Sequence, residues 1–340
     1  MSISQRKKDH VDLTVTGKAG YLKTTGFERF DFVHNALPEV DFDEITCEAK
    51  LLNHRFSMPL FISSMTGGYQ EGGAVNSIIA AFCEQFNLPF GVGSQRVMLE
   101  DSKVRDSFRV VRDEAPTAFI ASNIGGTQII NGMDKEQLNT IIDVIRADAL
   151  IIHLNPLQEL MQPEGDRNFK GIREGIRHVV SEVEFPVIVK ETGAGLSRSV
   201  IEELIDCGVS AVDVAGSGGT SWGKVENQRK SLPEEANPFN EWGLPTAECL
   251  INLKAIENYE IEIIASGGIR NSFDMAKAMC LGAGFTAIAQ PVIQAVVEDG
   301  YEGLETLYHR WHKDLKMILC LLSCERPQDL SNRHLRVIGE

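Results

Sequence analysis

Eight short apolar runs recur along the chain after residue 58, and segments with helical spacing of apolar positions lie between them. Short runs that are continuously apolar are typical of strands buried on both faces, as in a parallel sheet. The predicted strands are residues 59–62, 88–93, 118–123, 149–154, 186–191, 211–215, 261–266 and 285–289.

The intervening segments favour amphipathic helices. In residues 134–147, four aliphatic side chains fall at positions i, i+3, i+4 and i+7 counted from Leu138, behind an Asp and a Gln with the spacing of a capping box. Residues 197–207 and 272–281 each begin at a serine, a good helix N-cap, and end before a glycine. Strand and helix therefore alternate.

This alternation permits either an open doubly wound sheet or a closed barrel, because crossovers between parallel strands are right-handed in both. Eight strand–helix units favour an α/β fold of the (β/α)₈ TIM-barrel class, whose functional groups lie at the carboxyl ends of the strands. We predict a single barrel domain over residues 1–340, with an N-terminal extension at 1–58 and the barrel at 59–340. The basic and aromatic content of the extension predicts an arm over the barrel mouth.

Two predicted connections are long, at residues 155–169 and 217–245, which is typical of lids or binding loops. The composition is that of a globular enzyme, with 33 Lys and Arg against 48 Asp and Glu and a net charge of −15. Such a charge argues against nucleic acid or an anionic membrane as a partner, so any phosphate must bind in a local pocket.

Seven cysteines without a CxxC pair, and no signal-like or membrane-spanning apolar segment, lead us to expect a cytoplasmic protein. Apolar helix positions, together with Tyr308 and Trp311, which we expect to be exposed, suggest a homo-oligomer.

Glycines and small residues follow several of the predicted strands. The segment 266–270 ends strand seven before a capped helix and 289–291 ends strand eight, where barrels commonly bind a phosphate such as that of FMN. The small residues at 63–68, after strand one, would let a flat ligand approach the backbone. A plain tight turn explains such glycines as well.

Lys190 ends the apolar run of strand five, and burying it is costly unless it faces an anion or an electron-rich ring. The alternative is a structural ion pair with Glu191. Asn123 and Thr220 follow strands three and six, at the same edge of the barrel.

Strand four ends in a polar segment that carries His153, Gln158 and Glu159. One carboxylate together with substrate phosphates and water is the usual Mg²⁺ arrangement. A hydrogen-bonded core histidine and an exposed loop acid are the alternatives for His153 and Glu159. Arg96 and the basic segment 6–8 would converge above the mouth as phosphate ligands, unless the latter is a solvated charge run.

Taken in chain order, these motifs resemble the type II isopentenyl-diphosphate isomerases. They are Arg6-Lys7 with His10, VHNALPE (33–39), SMTGG (64–68), GSQR (93–96), HLNPLQE (153–159), PEGDR (163–167), VKE (189–191) and GGTSW (218–222). The resemblance implies an FMN enzyme that interconverts isopentenyl and dimethylallyl diphosphate in isoprenoid biosynthesis. It also implies Mg²⁺, NADPH or NADH as the reductant of the flavin, and a tetramer or octamer.

The resemblance also implies roles for residues at matching positions. The FMN contacts are Ser64, Met65, Thr66, Ser94, Asn123, Lys190, Thr220, Gly267, Gly268, Ile269, Arg270, Ala289 and Gln290. The substrate contacts are Arg6, Lys7, Ser94, Gln95, Arg96 and Gln158, with Glu159 on Mg²⁺. We expect His153 and Gln158 to act at the face of the substrate opposite the flavin. Gln290 stands where many members have Arg.

Two other functions remain open at this point. An FMN-dependent 2-hydroxy-acid oxidase-type barrel would share the phosphate site and Lys190 but would need a His–Arg base pair, and the 217–245 loop contains no histidine. A non-catalytic flavin-binding or phosphate-sensing barrel would lack the polar cluster at 153–159, which is intact.

Overall fold

The computed structural model describes residues 3–65, 67–68, 70–130, 133–230, 236–253, 256 and 261–338, and describes the backbone only at 3–8 and 70. The strands are β1 (Phe30–Phe32), β2 (Ala49–Leu51), β3 (His54–Phe56), β4 (Leu60–Ile62), β5 (Phe90–Gly91), β6 (Ile120–Gly125), β7 (Ala149–Leu154), β8 (Val187–Glu191), β9 (Ala211–Asp213), β10 (Glu262–Ala265), β11 (Phe285–Ile288) and β12 (Leu335–Val337).

The helices alternate with the strands of the barrel. They are α1 (Ile3–Val15), α2 (Gln70–Phe86), α3 (Arg96–Glu100), α4 (Asp106–Glu114), α5 (Lys135–Asp143), α6 (Pro156–Met161), α7 (Ile172–Glu182), α8 (Arg198–Asp206), α9 (Trp222–Gln228), α10 (Thr246–Leu253), α11 (Ser272–Cys280) and α12 (Gln290–Leu321). None of the helices in the described ranges is long and apolar enough to cross a membrane.

Strands β4 to β11 close into a parallel barrel in chain order, with β11 pairing back onto β4. Each predicted strand corresponds to one barrel strand, so the predicted TIM-barrel fold is confirmed. The ends differ by a few residues: β6 runs on to Gly125, and β5 is shorter than predicted.

The predicted helices are also present, with small corrections at their ends. Asp134 caps α5 in a capping box with Gln137, but α5 ends at Asp143 rather than at 147. The N-cap of α11 is Asn271, whose side chain accepts a hydrogen bond from Asp274 N. The hydroxyl of Ser272, predicted as the cap, instead donates to Trp311 O at 2.8 Å.

The N-terminal extension divides between the two ends of the barrel. Helix α1 lies at the mouth, as predicted, and contacts α9 and α12. The hairpin β2–β3 lies at the other end, where the Phe56 ring is 5.8 Å from that of Phe119 and 5.7 Å from that of Phe285. Leu52 N donates to Glu262 Oε1 at 2.8 Å. The hairpin thus covers the amino-terminal end of the barrel with apolar side chains.

The expectation that Tyr308 and Trp311 are exposed is wrong. They are only 8% and 1% exposed, because this part of α12 packs onto α2 and α11. The Tyr308 ring lies 4.3 Å from that of Phe86 and 6.2 Å from that of Phe82. These aromatic residues belong to the core and give no argument for self-association.

The two long connections contain helices that pack against each other above the barrel. Helix α6 lies in the connection after β7, and α9 lies in the connection after β9. Together with α1, they surround the carboxyl ends of the strands.

Candidate active site

A cavity of about 510 Å³ opens at the carboxyl ends of the barrel strands. Its wall includes side chains that follow every barrel strand, together with His10, Val11 and Thr14 of α1. The predicted site residues that border it are Ser64, Met65, Ser94, Arg96, Asn123, His153, Gln158, Glu159, Lys190, Thr220, Gly267, Gly268, Ile269, Arg270, Ala289 and Gln290. The barrel topology brings these residues together although they span more than two hundred positions.

Three predicted contacts lie outside the described side chains: Arg6, Lys7 and Thr66. They stay predictions. A fourth, Gln95, is described but does not border the cavity. It is fully buried, its Nε2 donates to Ile141 O at 2.8 Å, and its Oε1 accepts from Asn123 N at 2.9 Å. The structure therefore corrects this prediction: Gln95 joins β6 to α5 and does not reach a substrate in the cavity.

The turn after β10 borders the cavity and packs closely against the turn after β9. Gly267 has a φ of +95°, and a Cβ there would lie 1.9 Å from Gly216 O. A side chain would strain this backbone and collide with the turn after β9. Arg270 lies beside this turn and donates to Gln290 Oε1, while Gln290 Nε2 donates to Thr14 O at 2.7 Å. Burial lowers the pKa of Arg270, so a bound phosphate would be a favourable partner.

Lys190 borders the cavity, and its Nζ donates to Glu191 O at 2.5 Å. The Glu191 carboxylate accepts from the N–H of Gly193 at 2.6 Å, from Ala194 and from Gly195 at 3.3 Å. The alternative of a Lys190–Glu191 side-chain ion pair is therefore wrong within the described structure. Burial raises the pKa of Glu191 to about 6, although these donors and Lys190 oppose the shift.

The hydrogen bonds of His153 define its protonation. Asn123 Nδ2 donates to Val92 O at 3.0 Å, which turns Asn123 Oδ1 toward His153 Nδ1, 2.8 Å away. The acceptor character of Oδ1 assigns the proton to Nδ1 and leaves the lone pair on Nε2. Burial, then the charge of Lys190, lowers the pKa of His153 to about 3. At neutral pH this ring is an uncharged acceptor that borders the cavity and is also hydrogen-bonded to the core.

Gln158 is held at both ends of its amide. Its Nε2 donates to Glu226 Oε1 at 3.2 Å, and its Oε1 accepts from Asn155 Nδ2 at 3.1 Å. The Glu226 side chain is fully buried, and it also contacts His10 Nε2 at 2.8 Å and Arg229. Burial alone would raise the pKa of Glu226, but the hydrogen bond with His10 and the charge of Arg229 lower it. Sequence reasoning missed Glu226, because a Glu inside a short helix carries no distinguishing pattern.

Glu159 is the carboxylate that the sequence predicts on Mg²⁺. Its Oε1 accepts from Asn155 Nδ2 at 3.0 Å and its Oε2 from Asp166 N at 2.8 Å, which leaves further lone pairs toward the cavity. Among the described residues, no group of three or more His, Cys, Asp or Glu side chains is arranged to hold a metal ion. A cation here would therefore take most of its ligands from phosphate oxygens and water.

The donor set fits FMN. The glycine turn and Arg270 suit a phosphate, and Lys190 suits an electron-rich ring. The Ser64 hydroxyl oxygen is buried at the cavity and has no hydrogen-bond partner among the described residues, so a ligand atom can satisfy it.

This barrel and its cavity define the FMN-dependent dehydrogenase class, and the sequence profile of that family, described as "FMN-dependent dehydrogenase", matches residues 154–337. Solved structures of flavocytochrome b2 (TM-score 0.70, 16% identity, 97% of this chain and 83% of that chain) and mandelate oxidase (TM-score 0.64, 16% identity, 99% and 98%) share the fold. At such identities the likeness concerns the fold alone.

Sequence relatives narrow the assignment. Isopentenyl-diphosphate delta-isomerase of Chlorobaculum parvum is 42% identical over 333 residues, which cover 94% of this chain and 92% of the relative. The enzyme of that name from a Nostoc species is 43% identical over 297 residues, with 86% and 84% covered. The chain belongs to the isopentenyl-diphosphate delta-isomerase family, as its motifs predicted.

Proposed function

We propose that the protein binds FMN and, with the flavin reduced, interconverts isopentenyl and dimethylallyl diphosphate. The observation that carries the proposal is a pair of cationic positions in one cavity. Arg270 follows β10 and Arg96 follows β5, three positions apart in the ring of strands. Arg270 suits the phosphate of the flavin, and Arg96 suits the diphosphate of a substrate. His153 and Gln158 also lie at the cavity wall.

Moving a double bond by one position requires protonation at one carbon and deprotonation at another, through a state with carbocation character. Reduced FMN, when bound, would supply an electron-rich ring and an exchangeable proton at N5. Ser64, Met65, Thr66, Ser94, Asn123, Thr220, Gly268, Ile269, Ala289 and Gln290 complete the proposed flavin site with Lys190, Gly267 and Arg270.

The polar side chains of the β7 segment would orient the substrate. Gln158 has a fixed amide with an ionised carboxylate, Glu226, behind its Nε2. His153 offers an acceptor at Nε2 and, being neutral, does not compete for the proton at neutral pH. Both therefore suit a role in holding a substrate or relaying a proton, and neither carries a positive charge that would repel a carbocation.

The diphosphate end would combine Arg6, Lys7, Ser94 and Arg96 with Mg²⁺ on Glu159. The cation would neutralise part of the diphosphate charge and help to hold the diphosphate in the site during the proton transfers. The proposal extends to NADPH or NADH as the reductant, to a homotetramer or homo-octamer, to a single domain over 1–340 and to the cytoplasm, where free cysteines such as Cys83 and Cys249 are common.

The test is to record the visible spectrum of the purified protein and to assay isopentenyl diphosphate anaerobically, with and without NADPH and Mg²⁺. We expect a flavin spectrum, and turnover only when both are present. A colourless protein that turns over without flavin would contradict the proposal. Bleaching of the oxidised enzyme by 2-hydroxy acids would instead indicate an oxidase.

Two further measurements address the chemistry. Turnover of the pre-reduced enzyme in D₂O should place deuterium in the product, and the absence of deuterium would exclude protonation and deprotonation.

Gln158→Asn shortens the side chain by one methylene and withdraws the amide from Glu226 and Asn155. We expect this variant to retain FMN and to lose at least tenfold in kcat, about 1.4 kcal/mol.

A further inference from the structure

Asp166 lies in the loop that follows α6, and its carboxylate gathers donors from two other strand ends. Asp166 Oδ2 accepts from Arg96 Nη1 at 3.3 Å, from Thr127 Oγ1 at 2.9 Å and from Gln128 Nε2 at 3.2 Å. Arg96 follows β5, while Thr127 and Gln128 follow β6. One oxygen atom thus connects the segments after two neighbouring strands.

The same residue fixes the proposed Mg²⁺ ligand through its backbone. Asp166 N donates to Glu159 Oε2 at 2.8 Å. The preceding Gly165 allows this contact, because a Cβ at Gly165 would lie 2.0 Å from Glu159 O. The loop therefore lies directly on α6, and the backbone contact to Glu159 does not depend on the charge of the Asp166 side chain.

Arg96, Gln128 and Glu159 all border the cavity, whereas Asp166 does not. The guanidinium of Arg96 is held on two edges, since its Nε donates to Glu100 Oε1 at 3.1 Å and its Nη1 to Asp166. Among the described residues, its Nη2 has no hydrogen-bond partner. A long, half-exposed arginine is thereby restricted to one orientation with donors left for an anion.

We propose that Asp166 is a positioning residue for the diphosphate, which acts through Arg96 and Gln128 and does not touch the ligand. The inference rests on the proposed function. By holding the guanidinium and the amide before the ligand arrives, the carboxylate reduces the conformational freedom that binding would otherwise remove. Its effect should appear in the affinity for the diphosphate, and the chemical step and the flavin site should be unaffected.

The test uses the FMN-loaded enzyme, with inorganic pyrophosphate and Mg²⁺ as the binding probe. Asp166→Asn keeps the size of the side chain and the backbone N–H to Glu159 but removes the charge. Titration calorimetry and steady-state kinetics should give a five- to tenfold weaker Kd for pyrophosphate and a matching rise in KM, roughly the net effect of one ordinary hydrogen bond. We expect kcat within about twofold of wild type and an unchanged flavin spectrum.

Asp106→Asn is the matched control, because Asp106 forms a comparable exposed pair with Arg109 at 3.0 Å on α4, away from the cavity. It should behave as wild type. In an Arg96→Met background, Asp166→Asn should have less than half of its effect on pyrophosphate binding, because one partner through which it acts is gone. A purely structural role would give additive effects in this cycle.

If the wild-type enzyme is active but Asp166→Asn binds pyrophosphate as well as wild type or more tightly, the inference about Asp166 is wrong and the proposed function stands. Tighter binding would mean that Asp166 competes with the ligand for Arg96. A wild-type enzyme that neither binds pyrophosphate nor isomerises the substrate overturns the proposed function as well. If Asp166→Asn does not fold, Thr127→Val removes a neighbouring donor that helps to place the carboxylate. It should raise KM about twofold, and no rise would overturn the inference.

Discussion

Acid should destabilise the protein in part through His153. Burial and the nearby Lys190 lower the pKa of this ring to about 3, against about 6.5 in an unfolded chain. The unfolded state therefore takes up the proton first, so the stabilisation is complete above about pH 6.5 and is lost as the pH falls toward 3. Between pH 7.5 and pH 5.0 the loss is about 2 kcal/mol. This magnitude requires only that the folded pKa lie below about 4, so solvent in the cavity changes it little.

The assay compares wild type with His153→Asn, whose amide retains a donor for Asn123 Oδ1 and does not titrate. The free energy of unfolding in urea should fall by about 2 kcal/mol more in wild type than in the variant over this pH range. The raised pKa of Glu191 acts in the opposite direction, since its stabilisation is complete below about pH 4.5 and lost as the pH rises through 6. That contribution is common to both proteins and cancels in the difference.

A surface histidine provides the control for this experiment. His178 is exposed on α7, and His178→Asn should retain the pH response of wild type. Equal slopes for wild type and His153→Asn would refute the reasoning, because they would mean that the folded protein does not keep this ring neutral. A ¹⁵N spectrum of the His153 ring that reports the Nε2–H tautomer at pH 7 would likewise contradict the assignment from Asn123.

Two further substitutions address the turn at the phosphate end and the segments that precede β6 and β7. Gly267→Ala places a Cβ 1.9 Å from Gly216 O at a φ of +95°, so the protein should purify with little flavin, as the ratio of visible to ultraviolet absorbance will report. Arg112 donates to several buried carbonyls, including Ile145 O at 2.9 Å, and pairs with Asp148 at 2.8 Å. Arg112→Met should therefore lower the free energy of unfolding by about 3–5 kcal/mol in urea titrations.

The barrel could be predicted from the sequence because its strands are continuously apolar and its helices are amphipathic, and these local patterns agree with the global fold. The hairpin β2–β3 escaped prediction, since two three-residue strands in a polar context carry almost no periodic signal. Tyr308 and Trp311 are buried although we expected them to be exposed, and the reason is related. Their helix is covered by α2, which is distant in sequence, so its burial is a tertiary property.

Site residues that directly follow strand ends could be predicted, because a barrel brings all of these ends to one face. It is harder to predict which of two adjacent side chains faces the cavity. Arg96 borders the cavity, whereas the adjacent Gln95 turns inward to meet Asn123 N and Ile141 O, groups that lie 28 and 46 residues away. Which of two adjacent side chains faces the ligand depends on such backbone partners, and no spacing rule describes them. Glu226 was missed because its partners His10 and Gln158 lie 216 and 68 positions away, so nothing within its own short helix distinguishes it.

The hydrogen bonds of the buried carboxylates explain how a chain with a net charge of −15 can bind the two anionic ligands that we propose. Three buried carboxylates around the cavity are occupied: Glu226 by His10 and Arg229, Glu191 by the turn that follows β8, and Asp213 by Ser266 Oγ at 2.6 Å. The described carboxylates that line the cavity also have partners, since Glu100 pairs with Arg96 at 3.1 Å, Glu164 pairs with Arg229 at 3.4 Å, and Glu159 accepts from Asn155 and Asp166 N. Because fixed donors meet the charge of these carboxylates, the cations Arg96, Lys190 and Arg270 at the cavity wall can attract an anion. Local arrangement thus outweighs the overall charge, because these interactions act at short range in a partly desolvated space.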